Sequence, residues 1–172
     1  MPAYLKLAGI NGPANTAGLT LPAGLSLAGS FVAFSYTFGV ALPTDLFDAS
    51  STAAVIGRAS PSGFAVQCDD TPAMAQVWKA NHTGLYFASV VLAVTQPASG
   101  GLATGWVSSY WMLSGCVVTG VQTQWADLRP QIIITLAASK ITLAEFADPV
   151  DGHLPVAAPL FTWDYTKNAP VA

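Results

Sequence analysis

Around residues 33–40 the chain alternates: Phe34, Tyr36, Phe38 and Val40 fall on one side of an extended backbone, with Ala33, Ser35, Thr37 and Gly39 on the other. A period of two is that of a half-buried strand. Residues 3–7, AYLKL, read as a short opening strand, followed by the turn-rich GINGPANTAG. GFAVQC alternates again and sets Phe64, Val66 and Cys68 on one face. From Leu85 onward the pattern is strand after strand. LYFASVVLAVTQ meets GWVSSYWML across the turn PASGG, and GCVVTGVQTQW follows as a further strand. QIIITLAASKITLAEF then leads into the turn ADPVDGH, and APLFTWDY closes the series.

The period changes once, in DDTPAMAQVWKANHTG, which predicts a helix over about residues 71–82. Thr71 is the expected N-cap, with Pro72 at the first helical position. Asp69 and Asp70 sit where the positive end of the helix dipole favours them. The segment from Asn81 to Gly84 supplies the stop. Met74, Val77 and Trp78 form an apolar stripe, with Asn81 on the same side. Short strands, polar turns and β-branched or aromatic content fit a closed barrel or sandwich with one helix attached. At 172 residues the chain is read as one domain, 1–172, able to bury about 70% of its unfolded surface.

Composition narrows the partners. Apolar residues make up 52% of the chain and charged residues only 9%, so it has ample material for a core and none of the signature of disorder. The net charge is −3 and the six basic residues never cluster, which leaves no footprint for a phosphate backbone. No charge occurs between Lys6 and Asp45, and LPAGLSLAGSFVAFSYTFGVAL is about long enough to cross a bilayer. Its strand period, with Pro22, Gly24 and Gly29 as turn residues, argues against a transmembrane helix. The start, MPAYLKLAGINGPA, lacks the charged and apolar regions of a secretory signal, so the expected location is the cytoplasm unless a signal-independent route exports the protein.

Chemistry is sparse. Cys68 and Cys116 are isolated thiols in separate predicted strands, read as small buried hydrophobes in a reducing compartment. His82 lies at the expected end of the helix and His153 in the DGH turn, with no acid, serine motif or cysteine at triad or ligand spacing. Two histidines do not make a closed zinc site, and Asp148 and Asp151 lack the dense oxygen set of a calcium loop. Asp69 and Asp70 are adjacent rather than paired as acid and base. GINGPANTAG has no lysine and is not a phosphate-binding loop. The motif NHT is a glycosylation acceptor only in a secreted chain. The five tryptophans fit packing in a β core or a subunit interface. No catalytic residue, metal or cofactor is therefore expected. A small domain with so little charge stays soluble if identical copies cover much of its surface, and this points to an assembly protein.

The order of elements then carries a resemblance. PAYLKL, FSYTFGV running into LPTD, GRASPSGFAV before the single helix, YFASVVLAV, IIITLAASKITLAEF and the terminal FTWDYTKN together resemble the Hcp family, the tube-forming proteins of bacterial type VI secretion. The ending, with Trp163, Asp164 and Asn168, is similar to that family's closing W-D-x-x-x-N strand. The resemblance spans nearly the whole chain and implies a compact antiparallel β-barrel with one flanking helix. It further implies homohexameric rings that stack into a hollow tube, driven outward by a contractile sheath, with baseplate and spike proteins as further partners. Small effector proteins would bind in the lumen, and the tube protein would leave the cell without a signal peptide. The long segment from Ala41 to Ile56 corresponds to the family's extended loop between rings, in which Leu42, Pro43, Asp45 and Phe47 are the expected contact residues.

Composition departs from the family pattern. The chain has four lysines and one glutamate, Glu145, so intersubunit salt bridges should be few and the interface apolar and hydrogen-bonded. A tube protein of a phage tail or an extracellular contractile particle would share the same pattern. A monomeric β-barrel holding a small apolar ligand is the alternative of a different class.

Overall fold

The computed structural model describes residues 2–41, 44–45, 55–56, 60–97, 105–146 and 158–171. The strands are β1 (Ala3–Leu7), β2 (Phe31–Ala41), β3 (Thr44–Asp45), β4 (Val55–Ile56) and β5 (Ser60–Asp69), followed by helix α1 (Met74–Thr83). After it come β6 (Tyr86–Gln96), β7 (Trp106–Ala126), β8 (Arg129–Glu145), β9 (Ala158–Asp164) and β10 (Ala169–Pro170).

Antiparallel pairing runs β1–β2–β5–β8–β7–β6 and returns from β6 to β1, so these strands close into a ring. Closure removes most of the exposed backbone edges that an open sheet would leave. Strand β8 serves two neighbours on one edge. Gln131 to Leu136 pair with β5, and Lys140 to Glu145 pair with β9, while β7 runs along the other edge throughout. Strand β9 thus continues the sheet outside the ring, and β10 folds back onto it.

The inward positions follow the period of two. Phe64, Val66 and Cys68 on β5 and Ile132, Ile134 and Leu136 on β8 are all at most 2% exposed, and they join Leu5, Leu7, Phe31, Leu92 and Leu113 in one core. Each such aliphatic or aromatic side chain contributes about 1.5–3 kcal/mol on full burial. Helix α1 adds Met74, Val77 and Ala80 to this core, and Asn81 Nδ2 donates to the Val118 carbonyl at 3.1 Å. A second cluster, Tyr4, Leu27, Ala93, Trp106, Val107, Ala144 and Phe146, lies under the turn-rich segment and packs against Leu19, Leu21 and Leu25. β1 is consequently buried on both faces, Leu5 in one cluster and Tyr4 in the other. No helix among the described residues is long and apolar enough to cross a membrane, and Phe31–Ala41 of the uncharged stretch is strand β2.

Three local expectations are corrected. The helix begins later than residue 71, and the residue at its N-cap position is Ala73, with no side-chain cap. The Thr71 carbonyl accepts the Met74 N–H at 2.8 Å, while the Thr71 hydroxyl is buried with no partner among the described residues. Asp69 does not serve the dipole either: it ends β5 and pairs with Arg129 at 3.4 Å. The C-terminal stop is as read. Gly84 sits at φ 64° and the Leu85 N–H reaches the Ala80 carbonyl at 3.0 Å.

In β2 the single alternating face is broken by irregularities between Ala33 and Ser35 and between Phe38 and Val40. An inserted residue swaps the faces. Phe31 and Ala33 are buried, whereas Phe34, Tyr36 and Val40 are 39%, 39% and 48% exposed.

GWVSSYWML and GCVVTGVQTQW are not two strands but the continuous β7. Gly115 lies at φ 62°, and the space a Cβ would occupy is taken by Ser139 Oγ and the Tyr86 hydroxyl. Only glycine passes there without breaking the ladder.

Candidate assembly surface

The expected contact loop leaves the ring between β2 and β5, where Val40 pairs with Pro61 and Ala41 with Ser60. Within it Asp45 lies on β3, opposite Val55 of β4, so the two arms of the segment run antiparallel to one another. Leu42, Pro43 and Phe47 lie outside the described residues, as do Asp148, Asp151 and His153.

The C-terminal motif forms a strand and a tight return. Trp163 pairs with Ile141 on β8 and then with Pro170 on β10, and its ring packs partly buried against the main core. Asp164 Oδ1 accepts from the backbone N–H of Thr166 at 2.8 Å, from its hydroxyl at 2.5 Å and from the Lys167 N–H at 3.2 Å. The Thr166 hydroxyl, followed by the two backbone donors and the Lys167 charge, holds the Asp164 carboxyl below the ordinary aspartate range. Asn168 then takes φ 51°, a conformation that asparagine tolerates better than most residues, and β10 begins. Tyr165 is buried, and its N–H donates to the Ser139 carbonyl at 2.9 Å. The ending thus ties β8, β9 and β10 together.

Residues weighed for chemistry are dispersed. His82 Nδ1 lies 2.8 Å from the Trp78 carbonyl, one helical turn away, with the two rings tilted at 6.2 Å. Cys68 and Cys116 are fully buried in the core, and burial raises each thiol to about 12, with the Asp69 charge adding to the effect at Cys68. Among the described residues no group of three His, Cys, Asp or Glu side chains is placed to hold a metal ion.

The face opposite the core on β2, β5 and β8 carries amides and hydroxyls. Ser35 Oγ donates to Gln67 Oε1 at 2.8 Å, and Gln67 Nε2 donates to Gln131 Oε1, a chain of side chains across three strands. At its margin Arg129 bridges Asp69 and the ring of Phe34, its guanidinium 4.3 Å from the ring centroid. This is the one ion pair among the described residues, in keeping with the low charge. At one end of the core Phe38, Phe64 and Trp111 meet with centroids 5.2–6.3 Å apart, and Tyr36 stacks on Phe64 at 6.4 Å.

Backbone edges on β2 and β9 are unpaired among the described residues. Beyond Ala33 the outer edge of β2 has no paired strand among the described residues, and the first half of β9 has none on the side away from β8. The sequence reading also missed the tip of the β7–β8 hairpin, where Trp125 is 72% and Leu128 91% exposed. The local pattern gives no sign of it, because exposure of an apolar residue is not encoded in its type.

No protein-family model matches the sequence, and no curated protein matches it. Solved structures do. The chain is similar to a structure described as a type six secretion system protein, with 16% identity, coverage of 99% of both chains and a TM-score of 0.77. Hcp1 from Salmonella typhimurium is 12% identical, with 99% of this chain and 98% of that one covered and a TM-score of 0.70. Hcp1 from the E. coli EAEC 042 pathovar is 18% identical, with 92% and 98% covered and a TM-score of 0.68. Coverage of 92–99% of this chain at these TM-scores gives it the Hcp fold of type VI secretion proteins.

Proposed function

We propose that this chain is the tube subunit of a type VI secretion system, assembling as homohexameric rings that stack into a hollow tube. The observation that carries the reading is the end-to-end likeness to type VI secretion structures, 99% of both chains in the first case. Two features of the surface support it. Among the described residues β2 beyond Ala33 and the first half of β9 each have one unpaired edge, which gives each copy two backbone margins for neighbours to cover. The sparse charge fits a chain much of whose surface is covered by further copies.

In this reading a contractile sheath drives the tube outward, baseplate and spike proteins are its other partners, and the protein leaves the cell through the apparatus. Small effectors travel in the lumen. The loop after β2 contacts the next ring through Leu42, Pro43, Asp45 and Phe47. The protein acts as structure rather than as a catalyst.

The test is the solution mass of the untagged protein by light scattering, with negative-stain images of the same peak. A mass of six subunits with annular particles supports the proposal. A monomer at high concentration overturns it and favours the ligand-binding barrel.

A further inference from the structure

Asn11 and Gly12 are the one asparagine–glycine pair in the chain. With no Cβ on the glycine, its backbone nitrogen is the least hindered for attack on the preceding carboxamide. Asn11 is exposed to solvent. Gly12, one residue on, is held fast. Its N–H donates to the Gly29 carbonyl at 2.7 Å, and the Ala14 N–H donates to the Ser30 carbonyl at 3.0 Å. The Ser30 carbonyl and the ring of Phe31, a fully buried core residue, take the space in which a Cβ on Gly12 would lie. The Asn11 side chain rests against Gly29, its Oδ1 2.8 Å from where a Cβ would stand there.

These contacts form a clasp between residues 12–14 and residues 29–30. The chain between the two halves carries Leu19, Leu21, Leu25 and Leu27 over the second core cluster, in which Leu27 and Trp106 are buried. A segment fastened at its two ends and packed on one small cluster is the kind of unit that opens without the rest of the fold.

We propose that Asn11–Gly12 is a latent deamidation site, closed in the folded chain and reactive when the segment over the second cluster opens. The Gly12 nitrogen bonds to the side-chain carbonyl carbon of Asn11 and gives up its proton, and the carboxamide nitrogen leaves as ammonia. Water then opens the cyclic imide at one of its two carbonyls. The product is aspartate or, with the main chain routed through the side chain, isoaspartate. The attack needs the peptide between Asn11 and Gly12 to rotate, which the bond to Gly29 and the contacts with Ser30 and Phe31 prevent. Isoaspartate adds one carbon to the main chain, so Gly12 and Ala14 no longer reach the Gly29 and Ser30 carbonyls together. A transient opening of the segment is thereby made permanent. The inference stands apart from the tube reading and needs only the fold.

The experiment incubates the full chain in mildly alkaline buffer, folded and in urea, and follows residue 11 by peptide mapping with mass spectrometry. Conversion in the folded protein should be at least about tenfold slower than in urea. Leu27→Ala, which removes packing beneath the segment, should speed conversion in the folded protein and leave the rate in urea unchanged. Leu25→Ala, at a partly buried position of the same segment, serves in its place if melting shows Leu27→Ala to be unfolded. The isoaspartate form, isolated by ion exchange, should exchange its Gly12 and Ala14 amide hydrogens at least about tenfold faster than wild type. Equal rates folded and in urea overturn the inference, as does an Asn11 that stays intact in urea. A folded variant that converts no faster than wild type overturns the coupling to the segment. Amides as protected in the isoaspartate form as in wild type overturn the permanent opening.

Discussion

Asp164 and Thr166 are bonded twice: one carboxylate oxygen accepts both the backbone N–H, at 2.8 Å, and the hydroxyl, at 2.5 Å. The pair turns the chain at the end of β9 so that β10 returns along it, and it explains why a chain so poor in charge keeps an aspartate here. Because these donors favour the ionised form, the folded-state pKa lies below the unfolded one. The stabilisation is present above the ordinary aspartate value of about 3.9 and is lost as pH falls through the lowered folded value. The melting temperature of wild type should exceed that of Asp164→Ala at neutral pH, and the two curves should converge in strong acid. A constant gap down to the lowest pH would show that the carboxylate charge contributes nothing.

Gly115 is the position where β7 is most sensitive to a single methyl group. Alanine there must adopt φ near 62° and displace Ser139 and Tyr86. The combined strain and overpacking should cost about 2–4 kcal/mol in a denaturant melt. Adding Ser139→Ala should recover part of that loss by removing the nearest atom. An unchanged midpoint for Gly115→Ala would refute the continuous-strand account.

Cys68 and Cys116, raised by burial to about 12, should be inert in the folded protein. At pH 8 each holds about one thiolate in 10⁴, and neither is accessible. An aromatic disulfide reagent should report no thiol in the native state and two after denaturation. Since the folded thiols ionise later than the unfolded ones, stability should fall as pH rises from about 8.5 toward the folded values. Stoichiometric labelling of native protein would contradict the packing described for β5 and β7.

Replacing Phe47 by Asp should leave rings intact and weaken their stacking, read by the same scattering and imaging as the wild type. Rings that stack as before would remove the loop after β2 from the proposed contact.

Local pattern made much of this fold legible. Phe64, Val66 and Cys68 are read from alternation alone and prove fully buried, because a strand in a sheet with one packed face exposes its period directly. The stripe of Met74 and Val77, the stop at Gly84 and the hairpin from β6 to β7 follow from equally local rules. The reading of the terminal FTWDYTKN as a strand returning to the barrel also holds, since Trp163 and Asp164 pair with Ile141 and Lys140.

Other features depend on which segments meet, and no local rule encodes that. The register of β2 against β5 inserts the irregularity after Ala33 and leaves Phe34 and Tyr36 partly exposed. Ser139 and Tyr86 approaching Gly115 from two different strands turn an apparent strand break into continuity. Thr71 lost its capping role because its carbonyl, not its hydroxyl, meets the first turn. Leu128 has the side chain of a core residue and the surroundings of a turn. Sequence specifies which faces are apolar through short-range periodicity; the choice of partner for each face is made by long-range packing, and it decided where this chain closes and what it leaves exposed.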